Sequence, residues 1–190
     1  MATRAPVKKQ PAAKKSAAAS SRRTPARAAR SKDACDLLEA DHKTVRKLFD
    51  EYRTLCESRA RSAQAKKREL AQRICRELTV HTQIEEEIFY PAARGAIKDK
   101  ALLNEAMVEH ASARELIAQI LEMDDSDELF DARVQVLGEY MDHHIKEERS
   151  EMFPKVRQSR LNLLALREEL EQRKEQLTSQ MLEPDEAQAV

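Results

Sequence analysis

Two stretches of this chain carry the same arrangement of chemistry: His81-Thr-Gln-Ile-Glu85-Glu-Glu-Ile-Phe-Tyr-Pro91 and His144-Ile-Lys-Glu-Glu148-Arg-Ser-Glu-Met-Phe-Pro154. In each, the His stands four residues before the Glu and ten before the Pro. Each is preceded by a solitary His directly after an acidic residue, Asp41-His42 before the first and Glu109-His110 before the second. Four imidazoles and two carboxylates form a donor set suited to a pair of transition-metal ions. Imidazole with carboxylate fits iron, manganese or zinc better than copper(I), calcium or magnesium.

Such a set works only if the fold gathers it, and the composition says how. With two Gly, no Trp and 36% charged residues in 190, long helices are favoured over sheet. The length suits one domain rather than two. A 3.6-residue period runs through four segments. Asp33 is placed to cap the first, whose apolar stripe is Leu38, His42, Val45, Phe49 and Tyr52. The second stripe, Leu70, Ile74, Leu78, His81, Glu85 and Ile88, is expected to end at Pro91 and Gly95. The third starts near Asp99 and runs Leu103, Met107, His110, Arg114, Ile117 and Leu121, closed by a polar stretch at 123–128. The fourth runs Val134, Leu137, Met141, His144, Glu148 and Met152. Four helices of about 20 residues with short connections predict an all-α fold, an antiparallel up-and-down four-helix bundle over residues 33–157.

His42, His81, Glu85, His110, His144 and Glu148 all fall on the stripes that face the bundle axis. An unpaired charge there costs several kcal/mol, and a metal centre compensates all six together. Residues i and i+4 lie one turn apart, so each His and its Glu point to neighbouring places. The imidazole can take one ion while the longer carboxylate reaches across to share two. His143 has its own Glu four residues later, Glu147, but the offset from Pro154 selects His144 and Glu148 and turns His143 about 100° away, toward solvent. Glu86, Glu87, Glu147 and Glu151 read as a solvated acidic face. Tyr140, one turn before His144, reads as a packed bundle residue, with a donor role near the metals as the alternative. Asp41 and Glu109 are candidates to orient the histidine that follows each, although adjacent residues diverge on a helix.

From about Asp33 to Arg157 the chain resembles a hemerythrin-like domain, also called the HHE cation-binding domain. The resemblance rests on Asp41-His42-Lys-Thr-Val, His81-x3-Glu85 with Phe89-Tyr-Pro91, Glu109-His110, and His144-x3-Glu148 with Phe153-Pro154. It implies a four-helix bundle holding a non-haem di-iron centre, with His42 and His81 on one iron, His110 and His144 on the other, and Glu85 and Glu148 bridging. An oxo or hydroxo group would complete the bridge, and zinc or manganese are alternative occupants. The chain departs from the oxygen-carrying members at two places. Where they have a second His one turn after the first on helix three, it has Arg114, and where they have an Asp five residues after the last His, it has Arg149. A four-histidine site leaves more exchangeable positions, which shifts the expectation from reversible oxygen carriage to catalase-like reaction with hydrogen peroxide in oxidative-stress defence. The alternatives are a module that binds or senses dioxygen, nitric oxide or iron, and a zinc-filled structural bundle.

The two ends of the chain read differently. Residues 1–32 hold ten of the 34 basic residues and none of the 34 acidic ones, so the rest carries a balance of minus ten. That Ala-, Lys-, Arg- and Pro-rich tail cannot bury enough apolar surface to order itself and is expected to be disordered. Counterion release suits it to sequence-indifferent nucleic-acid binding and a nucleoid association. A solubilising arm that touches the acidic domain, or an organellar targeting segment, are the plainer alternatives. Residues 158–190 are expected to be a helical extension with Leu163, Leu170 and Leu177 seven apart, interrupted at Arg173 and Lys174. This segment either lengthens the fourth helix and pairs with a second subunit, giving a homodimer, or folds back on the bundle. No apolar run approaches the roughly 20 residues that cross a bilayer. The three cysteines, Cys35, Cys56 and Cys75, lack any CxxC spacing, and their odd number fits a reducing cytoplasm rather than a disulfide framework.

Overall fold

Asp33 begins the fold as its sequence position predicts. The Asp36 N–H donates to Asp33 Oδ1 at 3.0 Å and the Asp33 N–H to Asp36 Oδ2 at 2.7 Å, a reciprocal cap that starts helix α1 (Ala34–Cys56). The computed structural model describes residues 31–60, 62–124 and 126–182, which are helical apart from short connections and contain no strand. Residues 1–30 of the expected basic tail, and those beyond 182, lie outside the described residues. After α1 come α2 (Ala63–Ile84), α3 (Tyr90–Ala96), α4 (Lys100–Glu122), α5 (Phe130–Glu147), α6 (Phe153–Arg157) and α7 (Leu163–Leu182). Among the described residues no helix is long and apolar enough to cross a membrane.

Pro91 does not end the second helix, contrary to the sequence expectation. Between α2 and α3 the chain widens into a π turn, Glu85–Phe89, and between α5 and α6 into a second, Glu148–Met152. The Tyr90 N–H bonds to the Glu85 carbonyl and the Phe153 N–H to the Glu148 carbonyl, each five residues back. The proline follows at the next position in both repeats. Its missing N–H and its ring would break a regular α ladder, and the extra residue of the π turn absorbs that conflict without stopping the rod. Each bridging candidate is therefore the first residue of a π turn.

Helix α1 packs on α2 and α5, α2 on α4, and α4 on α5. The interior is two apolar clusters rather than one. Val45, Phe49, Ile74, Leu78, Ile117, Phe130 and Leu137 belong to the first, and Leu38, Ile84, Phe89, Leu103, Met152, Phe153 and Val156 to the second. On α1, His42 falls between Leu38 of one cluster and Val45 of the other, and on α2, His81 falls between Leu78 and Ile84. A polar layer thus separates two apolar ones. Met107 and Leu121, expected in the stripe of α4, are instead 36% and 45% exposed. A Cβ at Gly138 would stand 3.1 Å from the Phe49 ring, so the close approach of α5 to α1 depends on that glycine.

Of the two fates open to the C-terminal segment, the structure shows the return. Leu166, Leu170 and Leu177 are buried in the same cluster as Leu38, Val80 and Ile84. Each such leucine contributes roughly 1.5–3 kcal/mol by leaving water. The seam that suggested a second subunit is filled by this chain's own α1 and α2. Arg173 and Lys174, which interrupt the seam, pair with Glu87 and Asp41 of the bundle.

Candidate metal centre

The polar layer contains the six residues that the spacing selected. His42, His81, Glu85, His110, His144 and Glu148 are each at most 2% exposed. His42 comes from α1, His81 from α2, His110 from α4 and His144 from α5, while the two glutamates open the π turns. The Nε2 atoms of His42 and His81 lie 3.0 Å apart, and those of His110 and His144 3.1 Å apart. Glu85 Oε2 lies between the pairs, 3.3 Å from His81 Nε2 and 3.4 Å from His110 Nε2. Glu148 Oε2 does the same from the other side, 3.1 Å from His42 Nε2 and 3.5 Å from His144 Nε2. His42, His81, Glu85 and Glu148 form one cluster of potential ligand atoms, and Glu85, His110 and His144 a second.

The outer ring nitrogens say which inner ones carry lone pairs. His110 Nδ1 stands 3.0 Å from Glu86 Oε1, and His144 Nδ1 stands 2.9 Å from Glu109 Oε2. Carboxylates accept from N–H, so both rings hold a proton at Nδ1 and turn a bare Nε2 inward. Two such nitrogens 3.1 Å apart in a dry interior need either a shared proton or a cation between them. Among the described residues, both oxygens of Glu85, one of Glu148 and the Nδ1 atoms of His42 and His81 have no hydrogen-bond partner. Buried polar atoms left in this way cost about 1–3 kcal/mol each, more when charged. The donor set fits two cations that share the carboxylates, which would relieve the unpaired oxygens of Glu85 and Glu148 together.

Electrostatics without metal divides the carboxylates. Burial, with Glu148 next to it, pushes Glu85 well above the usual carboxylate range. Glu148 feels the same burial, but His144, His42 and His81 outweigh it and hold its carboxyl below that range. Burial also lowers His81 to about 4, keeping its imidazole neutral at ordinary pH and available as a donor. On His144 burial acts in the same direction, but Glu148 and Glu109 outweigh it and raise the imidazole above 6.5.

Several neighbours differ from their sequence reading. Tyr140 is 46% exposed and takes neither of its expected roles. The tyrosine at the centre is Tyr90, whose hydroxyl donates to Glu148 Oε1 at 3.0 Å and lies 3.2 Å from His110 Nε2. Burial raises its phenol well above the ordinary value, so it holds its proton. The signal for it was present, since Tyr90 precedes Pro91 where Phe153 precedes Pro154. Glu86 is no solvated residue but the partner of His110, and Arg114 turns outward to pair with Glu86 rather than with either bridging carboxylate. Asp41 and Glu109 face histidines across the helix interface rather than their own neighbours: Glu109 Oε2 meets His144 Nδ1 at 2.9 Å, and Asp41 Oδ2 stands 3.7 Å from His81 Nδ1. His143 is 61% exposed, as its register predicts.

Comparison with known proteins agrees with the helical fold. The model of the hemerythrin HHE cation binding domain matches residues 33–156. A crystal structure of a hemerythrin HHE cation binding domain-containing protein from Mycobacterium kansasii superposes with a TM-score of 0.66 at 22% identity, over 84% of this chain and 95% of that one. At that identity the likeness is one of fold. A curated relative, a DNA nickase of Nostoc sp. (strain PCC 7120 / SAG 25.82 / UTEX 2576), is 28% identical over 122 residues. The match takes in 64% of this chain but spans only 33% of that protein's length. Its helices, its paired His-x3-Glu motifs and its family match together place this chain in the hemerythrin HHE cation-binding domain family.

Proposed function

We propose that the six buried residues hold two iron ions inside an antiparallel four-helix bundle and that this centre disproportionates hydrogen peroxide. His42 and His81 take one ion, His110 and His144 the other, and Glu85 and Glu148 span both. Zinc or manganese would satisfy the same donors less selectively. The observation that carries the reading is the outward turn of Arg114 to Glu86, which leaves α4 with one ligand where an oxygen carrier has two. Fewer protein donors leave more positions for a substrate oxygen on each ion. Bound iron supplies the electron transfer that converts two hydrogen peroxide molecules into dioxygen and two water molecules.

The residues around the centre supply the rest. Tyr90 offers a buried O–H beside Glu148 and His110, a proton donor within reach of a substrate oxygen there. Glu85 and Glu148, anchored in π turns on different rods, fix the distance between the histidine pairs. The apolar clusters on either side keep bulk water out of the layer. Oxygen release from added peroxide by iron-loaded protein tests the activity, and no release above free iron would sink it. Reversible spectral changes with nitric oxide or dioxygen, in a sample that releases no oxygen, would instead support a binding or sensing module.

The basic tail carries a separate reading, association with DNA or RNA phosphates. It is supported by the ten positive charges of residues 1–32 set against an acidic remainder, and the Nostoc relative is a DNA nickase. A gel shift comparing the full chain with one starting at Asp33 tests it. Equal binding by both would dispose of it.

A further inference from the structure

Three of the buried histidines have a carboxylate behind the ring, and each carboxylate has a basic side chain behind it. Glu86, behind His110, is paired with Arg114. Asp41, behind His81, is paired with Lys174 of α7. Glu109, behind His144, breaks the series, because neither an Arg nor a Lys is paired with it among the described residues. Its Oε1 lies instead 3.6 Å from His143 Nε2, which is 3.3 Å from Glu147 Oε1. Two of the three carboxylates therefore have a permanent cation, and the third has a group of metal donors in the same place.

We propose that Glu109, His143 and Glu147 form a third metal site, at the protein surface, for a divalent transition metal such as zinc, and that this metal is the cation that backs His144. Ligand atoms of the three residues lie within 4.8 Å of one another. His143 and Glu147 stand one turn apart on α5, and Glu109 faces them from α4. One imidazole and two carboxylates suit zinc, iron(II) or manganese(II). The 61% exposure of His143 leaves open positions for water, which makes the ion exchangeable. Glu109 can serve both partners at once, with Oε2 accepting from His144 Nδ1 while Oε1 faces the surface donors. A dication on Oε1 draws electron density from the carboxylate. It thereby weakens the acceptor for the His144 N–H and reduces the electron donation of that ring into the buried centre. The fixed pairs, Arg114 and Lys174, give no such adjustment. This coupling rests on the reading of His144 as a ligand of the buried centre; the surface site itself does not.

The test is a zinc titration of the iron-loaded full chain against His143→Ala and Glu147→Gln, with bound zinc and iron counted after equilibrium dialysis and the absorption spectrum recorded throughout. The wild type is expected to retain one more zinc per chain than either variant, with iron content unchanged. Its absorption bands should shift on zinc addition while those of His143→Ala do not. Equal zinc retention by all three proteins overturns the site. Zinc retained by the wild type without any spectral shift overturns the coupling. Failure of the buried-centre reading is visible separately, as iron content that stays below two per chain in every sample, and it leaves the difference in zinc count intact.

Discussion

The two halves of the polar layer are related by the repeated motif, yet their surroundings differ. Around His42 and His81 the walls are apolar. Phe153 stacks on His42 with ring centres 5.8 Å apart and planes 4° from parallel, His42 Nδ1 has no hydrogen bond, and Asp41 stands off at 3.7 Å from His81. Around His110 and His144 the walls are polar. Tyr90 takes the place that Phe153 holds in the other half, with its ring centre 5.3 Å from that of His110, and both Nδ1 atoms meet carboxylates at 3.0 Å or less. A carboxylate behind an imidazole fixes its tautomer and raises its basicity. On the proposed reading, the His110 and His144 half would therefore be the tighter metal holder and the side equipped to move a proton, and the His42 and His81 half the looser one.

Removing the single hydroxyl that distinguishes the halves should have the largest effect. Tyr90→Phe is expected to lower oxygen release from peroxide by about 10²-fold while iron content stays at the wild-type level, the size usual for loss of a general acid. Unchanged turnover would mean that the phenol only packs. Next comes the support behind the rings. Glu86→Gln should weaken metal binding by about 10- to 100-fold in a chelator competition, and Asp41→Asn by distinctly less, because its contact with His81 is long. Equal losses would show that the halves are held alike.

In the metal-free protein His144 and His81, one from each half, should differ in titration, while burial lowers His110 as it lowers His81. Burial depresses His81 to about 4, whereas Glu148 and Glu109, overcoming burial, raise His144 above 6.5. As pH falls from 8, His144 is expected to take its proton first and His81 only near pH 4, followed by NMR of the imidazole resonances. The reverse order would contradict the roles given to Glu148 and Glu109 beside His144. The smallest effect should come from Lys174→Met, which acts on His81 only through Asp41. A few-fold loss of metal affinity is expected, on the order of one-tenth of the Glu86→Gln effect, and restoration by Lys174→Arg would separate charge from packing.

Much of this site was legible in the sequence, because its geometry is local to single helices. A His and a Glu four residues apart share a face whatever the rest of the chain does, and six such polar residues on apolar stripes required a common explanation. What crossed between helices was less legible. Asp41 and Glu109 follow their own helical faces away from the adjacent histidine and reach the neighbouring rod instead, so their partners depended on which helices pack together. Arg173 and Lys174 read as defects in a leucine seam, when they are the residues that pair α7 with Glu87 and Asp41. Pro91 read as a stop because the rule for proline assumes an α ladder, and the π turn before it had no signal of its own beyond the repeat. Tyr140 stood one turn from His144 but on the solvent side, which spacing alone did not distinguish.

On the proposed reading, six side chains form one two-metal box whose His110 and His144 half holds its ion more firmly. Iron content per chain, measured on protein loaded anaerobically and passed over a chelating resin, tests it most directly in His42→Ala and His110→Ala beside the wild type. Two irons are expected in the wild type, about one in His42→Ala, where the His110 and His144 half keeps its ion, and fewer than one in His110→Ala, which opens the half that holds metal most firmly. Two irons retained in both variants would contradict the account.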